Sequence, residues 1–451
     1  MNAGNGQPVT RRLRRLPARN AGPALSLIGL FIFTFFLITA RFPSLFTEIG
    51  IYLALLGLVL QPQQVGFPAP VRWAIALLLW GIVTSFTAID PELAWPAMIE
   101  LLKALVIFFV VMNALRTPQQ LRSYILVFLV AFAIYPGRGA ILNYIHGTLY
   151  FGRTLWNGIY SNPNDLAAIT LLVLGLTLSI ATVKTQDIRV RRAAIAFVPA
   201  TVLIILLTQS RGTFIGLLAG FGPAIIMRMR KRPTNVGPVL LVVVLAALFV
   251  PATAWHRFED ISKVTSSETI READQYGSAE QRFEILKNGW HIVTDHPLLG
   301  VGIGCYNEAN AIYAPNLGKR DAHNTYISLA AEMGFPGLLL WLGLVWSVLA
   351  QVRRRRRSLE ADNGVIEIMW LQRAYVGCLV AAFFASYFAI TIIYLCLGTL
   401  WAASGVLGKS AADEPLRRGR GALRPRPATA VPAPAAPAPM PRSRRRAHRT
   451  R

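Results

Sequence analysis

Twelve apolar runs, each long enough to cross about 30 Å of hydrocarbon, divide the chain: 24–40, 44–60, 71–88, 96–114, 121–145, 163–183, 192–209, 211–229, 237–254, 323–350, 368–386 and 388–407. Most gaps between them are short. One differs in kind, the stretch from His256 to Gly334, which is the only long polar interruption. Within it, Phe283, Leu286, Trp290 and Val293 recur at helical spacing and predict a helix over Ser278–Thr294 with those four on its apolar face. Arg282 sits at the edge of that face. Pro297 ends the helix, and Gly300, Gly302 and Gly304 permit a tight return. A short helix from Asn324 to Met333 follows, kinked by Gly334-Phe335-Pro336-Gly337 before Leu338 to Ala350 enters the membrane. The fold expected is all-α: a polytopic membrane protein of about 12 transmembrane helices, with one large loop carrying short helices.

Charge orients these runs. With the amino terminus in the cytoplasm, the cytoplasmic connections hold Arg116 and Arg122, then Lys184, Arg189, Arg191 and Arg192, then Arg228, Arg230, Lys231 and Arg232, then Arg353 to Arg357. The alternate connections are poor in positive charge, and the loop 256–322 carries seven Lys or Arg against ten Asp or Glu. Shifting the count by one span would scramble this alternation, so an even number is expected, with both termini cytoplasmic and the loop outside. The divisions that follow are a basic amino terminus (1–23), helices 1–9 (24–255), the outer loop (256–322), helices 10–12 (323–408) and a Pro-, Ala- and Arg-rich tail (409–451) expected to be disordered against anionic lipid.

Composition agrees. Only 15% of the 451 residues are charged, where a soluble domain carries about a quarter, and the mean hydropathy is +0.46. A formal charge of +24 would suggest nucleic acid in a soluble protein. Here topology accounts for the arginines, and no nucleic-acid partner is expected. The arginines of residues 1–23 resemble the start of a signal peptide, but without a small-residue cleavage site after Ala40 the first span is expected to stay uncleaved. Cys305, Cys378 and Cys396 form no pattern, so no disulfide is expected.

Three sets of polar groups converge on the outer face. Thr208-Gln209-Ser210-Arg211-Gly212 is squeezed between two runs with almost no loop. Its guanidinium either meets an anion or snorkels to lipid phosphate. Arg282 lies on the loop helix, where an ordinary solvated charge is the alternative. His323 stands where the loop re-enters the bilayer, as a base held near its working range or as a residue that only bonds a helix start. Guanidinium forks match phosphate oxygens in pairs. A pyrophosphate leaving group needs charge neutralisation more than a proton, whereas an incoming sugar hydroxyl needs a base. The set fits glycosyl transfer from a lipid pyrophosphate. A transporter would spread its charged residues along a path through the bundle, and these gather on one face.

Lys103, spaced for a pair with Glu100, and Arg138, in a broken helix after Pro136, are secondary candidates for substrate binding, with pairing or snorkelling as the structural alternative. The acidic pairs Glu259-Asp260 and Glu272-Ala273-Asp274, and His291, Asp295 and His296, lack the context of a defined metal site, and none is expected.

Ser-Arg-Gly at 210–212, His-Pro-Leu-Leu-Gly-Val-Gly-Ile-Gly at 296–304, and His-Asn at 323–324 followed by Glu332, Gly334 and Gly337 together resemble the O-antigen ligase and polymerase superfamily. Tyr160-Ser161-Asn162-Pro163-Asn164-Asp165 is similar to a further stretch found there. The resemblance implies a glycosyltransferase of the bacterial inner membrane with its site facing the periplasm. The donor would be an undecaprenyl-pyrophosphate-linked glycan and, in the ligase member, the acceptor the lipid A–core oligosaccharide. It implies inverting transfer with neither metal nor nucleotide cofactor, with Arg211 and Arg282 as phosphate-binding arginines and His323 as the catalytic histidine. Some members carry a second histidine where Asn324 stands here, which leaves open an O-antigen polymerase or a protein O-oligosaccharyltransferase.

Overall fold

Apolar runs of this length satisfy their backbone polar groups only as helices, and helix is what they form. The structure, a computed structural model, describes residues 21–183, 186–231, 278–358 and 363–421. In chain order the helices are α1 (Ala21–Thr39), α2 (Ser44–Val59), α3 (Ala69–Phe86), α4 (Pro91–Ala114), α5 (Pro118–Phe132), α6 (Arg138–Ile145), α7 (Pro163–Thr182), α8 (Ile188–Leu207) and α9 (Arg211–Lys231). They continue with α10 (Ser278–Asp295), α11 (Tyr306–Tyr313), α12 (Thr325–Ser358), α13 (Asn363–Ala381) and α14 (Thr391–Gly421). One compact unit ends at Ala411.

Eight of the described helical segments are long and apolar enough to cross a membrane, with α5 and α6 counted as one. Three shorter apolar helices, Ser44–Val59, Arg211–Met227 and Thr391–Leu407, accompany them. The last two have 17 residues in these bounds and reach only about 25 Å at 1.5 Å per residue. Together these helices account for every expected apolar run except 237–254, which lies outside the described residues. Large apolar side chains cover their outward faces, among them Tyr52, Leu79, Phe86, Leu218, Leu339 and Trp346. The protein is a multi-pass membrane protein, helical throughout its named elements among the described residues.

Small residues set the packing. A Cβ on Gly29 of α1 would lie 2.3 Å from the Ala54 nitrogen of α2, and one on Gly57 the same distance from the Ser26 nitrogen, so these helices touch backbone to backbone. A second seam joins α9 to α13, where a Cβ on Gly216 would lie 2.3 Å from the Gly377 carbonyl oxygen. On the other side of α13, a Cβ on Gly175 of α7 would lie 2.3 Å from the Ala374 Cβ. The α7 helix is thereby buried along most of its length. Near the ends of α5 and α13, Arg122 Nη2 and Glu367 Oε1 pair at 2.6 Å.

The expected break in α12 is present. Gly334 has φ 67° and ψ 179°, and the Leu298 carbonyl oxygen would lie 1.9 Å from any Cβ there. The glycine-rich return 296–304 fills the break. Val301 N–H donates to the Ala331 carbonyl at 2.8 Å, Gly302 N–H to the Glu332 carbonyl at 2.9 Å, and Phe335 N–H to the Pro297 carbonyl at 2.8 Å. The buried Glu332 carboxylate accepts from Gly304 N–H at 3.0 Å. Backbone groups freed by the kink are thus satisfied by the loop.

One expectation needs correcting. On α10, Phe283 and Trp290 are more than half exposed and Leu286 is exposed too, while Ile285, Ile292 and Val293 are buried. The face turned inward is Ile285, Asn288, Gly289 and Ile292, which also follows helical spacing. It wins because its middle is small: a Cβ on Gly289 would lie 2.6 Å from Tyr306 Oη and 2.7 Å from Ile327 Cγ2. Asn288 Nδ2 donates to Asn310 Oδ1 at 2.8 Å. Arg282, three residues before Ile285 and seven before Gly289, belongs to this inward stripe and points α10's first described turn toward the start of α12.

Candidate active site

Three helix starts meet at one end of the bundle. The first belongs to α9. Its α8 neighbour ends at Leu207, Gln209 turns in the left-handed region (φ 50°), and Ser210 caps α9, its backbone carbonyl accepting from Phe214 N–H at 3.0 Å. Arg211 is the first helical residue, half-buried. A guanidinium there opposes the positive end of the helix dipole, and an anion would offset both. Among the described residues Arg211 has no ion-pair partner.

The second start is α7. Asn162 caps it, accepting from Asn164 N–H at 2.8 Å. Asn164 Oδ1 accepts from two directions, from Ser210 Oγ at 3.0 Å and from Arg153 Nη2 at 2.6 Å. Arg153 Nε also donates to the Thr208 carbonyl at 2.8 Å, so this arginine closes the gap between α7 and the turn before α9.

The third start is α12. Asn324 caps it, Oδ1 accepting from Tyr326 N–H at 3.0 Å and Ile327 N–H at 3.1 Å. The capping alternative for His323 is therefore taken by its neighbour. His323 itself has φ 47°, a conformation costing a side-chain-bearing residue about 1–3 kcal/mol. Its Nδ1 lies 3.6 Å from Asp321 Oδ2, an ionic contact longer than a hydrogen bond. Burial holds the His323 imidazole below its ordinary value, with Arg282, Arg153 and Arg320 pushing the same way and Asp321 opposing them.

The connection from α13 to α14 fastens these starts together. Thr325 N–H donates to the Ala382 carbonyl at 2.8 Å, Thr325 Oγ1 donates to the Ala385 carbonyl at 2.7 Å, and Thr325 Oγ1 accepts from Tyr387 N–H at 2.9 Å. Ser386 Oγ donates to Asp321 Oδ1 at 2.9 Å, and Tyr387 Oη donates to the Asn164 carbonyl at 3.2 Å. Phe384 rests on Gly212, where a Cβ would lie 2.4 Å from its own.

Arg282 and Arg153 both act on His323, and Arg211 follows Ser210, which shares the Asn164 side chain with Arg153. Two expected residues stay apart. Lys103 pairs with Glu100 at 2.7 Å on the outer flank of α4, both side chains more than half exposed. Arg138 is exposed at the start of α6 and has no ion pair among the described residues. The helix around it is disturbed as Pro136 predicts, passing through a π-helical turn at Ala133–Gly137. Among the described residues no three of His, Cys, Asp or Glu come together as a metal donor set. His296 Nε2 instead lies 3.1 Å from Tyr313 Oη, and the pairs at 259–260 and 272–274 fall outside the described residues.

Residues 194–342, from within α8 to within α12, match the family model described as O-antigen ligase. Over this third of the chain the protein is similar to the O-antigen ligase family. No curated protein matches the chain. The matched O-antigen ligase segment contains Arg211, Arg282 and His323, whereas Arg153, Asn164 and the 382–387 connection lie outside it. Arg153 and Asp321 were also the residues sequence reasoning passed over. Asp321 offered a signal, two positions from His323. Arg153 offered none, since its role depends on a turn 55 residues away.

Proposed function

We propose that this protein transfers a preassembled glycan from undecaprenyl pyrophosphate to a sugar hydroxyl of the lipid A–core oligosaccharide, on the periplasmic face of the inner membrane. The observation that carries the reading is the setting of His323: strained, not needed as a cap, kept from protonating by burial and by arginines, and flanked at Nδ1 by Asp321. With the Nδ1 proton turned toward that carboxylate, Nε2 is left as the acceptor. It takes the hydroxyl proton as the acceptor oxygen bonds to the anomeric carbon. The bond from that carbon to the pyrophosphate oxygen breaks on the opposite face, and pyrophosphate leaves on its lipid with the electron pair, which inverts the centre. Arg211 and Arg282 neutralise the leaving group by paired contacts to its oxygens, and Arg153 holds the α7 and α9 starts in register for them.

Reconstitution with lipid-linked glycan tests this, with lipid A–core, a second lipid-linked glycan and a pilin-like protein offered as separate acceptors, with and without EDTA. Transfer to lipid A–core that EDTA leaves unchanged is expected. Transfer to the second glycan or to the pilin would instead make it a polymerase or a protein oligosaccharyltransferase, and no transfer to any acceptor defeats the reading. Arg211→Lys should lose most of the activity despite keeping its charge, because an ammonium cannot make the forked contact. Arg282→Ala should chiefly weaken use of the donor. Unchanged kinetics in both variants at normal abundance would remove the phosphate assignment.

A further inference from the structure

At the other end of α12 lies a second cluster of guanidiniums, unrelated to the candidate active site. From Phe335 to Arg357 the helix is about 34 Å long at 1.5 Å per residue, enough to cross the hydrocarbon and place its last turns among lipid headgroups or just beyond. There Arg353, Arg356 and Arg357 line a cavity of about 330 Å³ together with Gln372, Arg373 and Val376 of α13. The described lining has four arginines and no acid.

Helix-end arginines are ordinary where a span meets cytoplasm, and the run Arg353 to Arg357 was expected on that ground. The arrangement goes further. Positions 353, 356 and 357 are spaced i, i+3 and i+4, which puts three like charges on one face, and that face is turned toward a fourth arginine on a neighbouring helix. Arg353 and Arg357 are exposed, as Arg354 outside the cavity is, whereas Arg356 is half-buried. Arg356 donates through Nη1 to Gln372 Oε1, which fixes its plane, and its Nε is buried without a hydrogen-bond partner. An unsatisfied buried N–H on a cation, beside three more cations, is the arrangement an anion would complete. Planar forks converging from two helices select an oxyanion with several acceptor oxygens.

We propose that this cavity is a phosphate-binding site, filled by the phosphodiester of an anionic phospholipid or by a free phosphate from the aqueous side. The protein, in nanodiscs of phosphatidylcholine, is melted while phosphatidylglycerol is titrated into the disc, and separately while inorganic phosphate is added at constant ionic strength. The melting temperature should rise with one titrant: with phosphatidylglycerol if the source is a headgroup, with inorganic phosphate if it is soluble. Arg354→Gln, which removes one positive charge outside the cavity, should respond as wild type does. Arg353→Gln combined with Arg373→Gln should need at least about tenfold more titrant for the same rise. Should that pair not fold, Arg357→Gln serves in its place, since it leaves the Arg356–Gln372 bond intact. A wild type indifferent to both titrants, or cavity variants that respond as Arg354→Gln does, would overturn the proposal.

Discussion

His323 spends conformational energy that its neighbours do not require of it. Asn324 already caps α12, so the left-handed backbone at 323 stabilises nothing local. Two substitutions separate chemistry from folding. His323→Ala should cut turnover by about 10²–10⁴-fold while donor binding persists, as loss of a general base does. His323→Gly should be as inactive but melt higher than His323→Ala, because glycine accepts φ 47° without strain. Near-wild-type turnover in either variant would remove His323 from the reaction. The pH profile adds a second test. A base whose protonated form is disfavoured by burial and by Arg282, Arg153 and Arg320 titrates below its ordinary value near 6.5. Activity should therefore rise with pH along a limb centred below that value. Asp321 works against this shift, so Asp321→Asn should move the limb further toward acid and lower the plateau, since the imidazole becomes a weaker base. A limb that stays in place would show that Asp321 does not act on His323.

The same economy governs the helices. The break in α12 divides a nine-residue outer piece, Thr325–Met333, from the span that follows, and the 296–304 return is shaped to the gap. Gly334→Ala should destabilise by at least about 2 kcal/mol, from strain at φ 67° and a collision with the Leu298 carbonyl. Gly222→Ala, with open space around its Cβ, should be neutral or gain up to about 1 kcal/mol in helix propensity. Thermal unfolding of the two in one lipid composition makes the comparison. This break was legible in the sequence because Gly-Phe-Pro-Gly can do little else. The inward face of α10 was not. Two apolar stripes share that helix, and hydrophobicity favoured Phe283, Leu286 and Trp290, whereas the fit beneath Tyr306 and Ile327 decided for the one built around Gly289. The 382–387 connection was likewise hidden, since its backbone carbonyls and its Ser386 and Tyr387 side chains meet partners from 57 to 223 positions away.

For the molecule as a whole, the alternation of arginine predicts which ends face the cytoplasm, and the three native cysteines suit a labelling test because all are buried. Leu298→Cys, exposed on the loop, should react in intact cells with a membrane-impermeant thiol reagent, and Arg354→Cys should react only after permeabilisation. The reverse pattern would invert the topology and move the proposed chemistry to the cytoplasm. The candidate residues were partly legible, because Arg211 and His323 each stand where an apolar run meets polar sequence and Arg282 sits on the one amphipathic helix of the long polar loop. What could not be read was their assembly, which depends on contacts between residues from 46 to 223 positions apart.

That assembly bears on how the protein is made. His323, Arg211 and Arg282 all emerge from the ribosome before Ser386 and Tyr387 do, yet Asp321 and the α7 start are held by those two late residues. Until the hairpin formed by α13 and α14 has inserted, a nascent chain carries the reactive groups without the brace that orients them. If the proposed function holds, a growing polypeptide lacks an oriented site for a lipid-linked sugar until its membrane body is complete. A chain stopped after Ala381 should insert and still be inert, and supplying the missing carboxyl-terminal hairpin as a separate polypeptide should restore transfer.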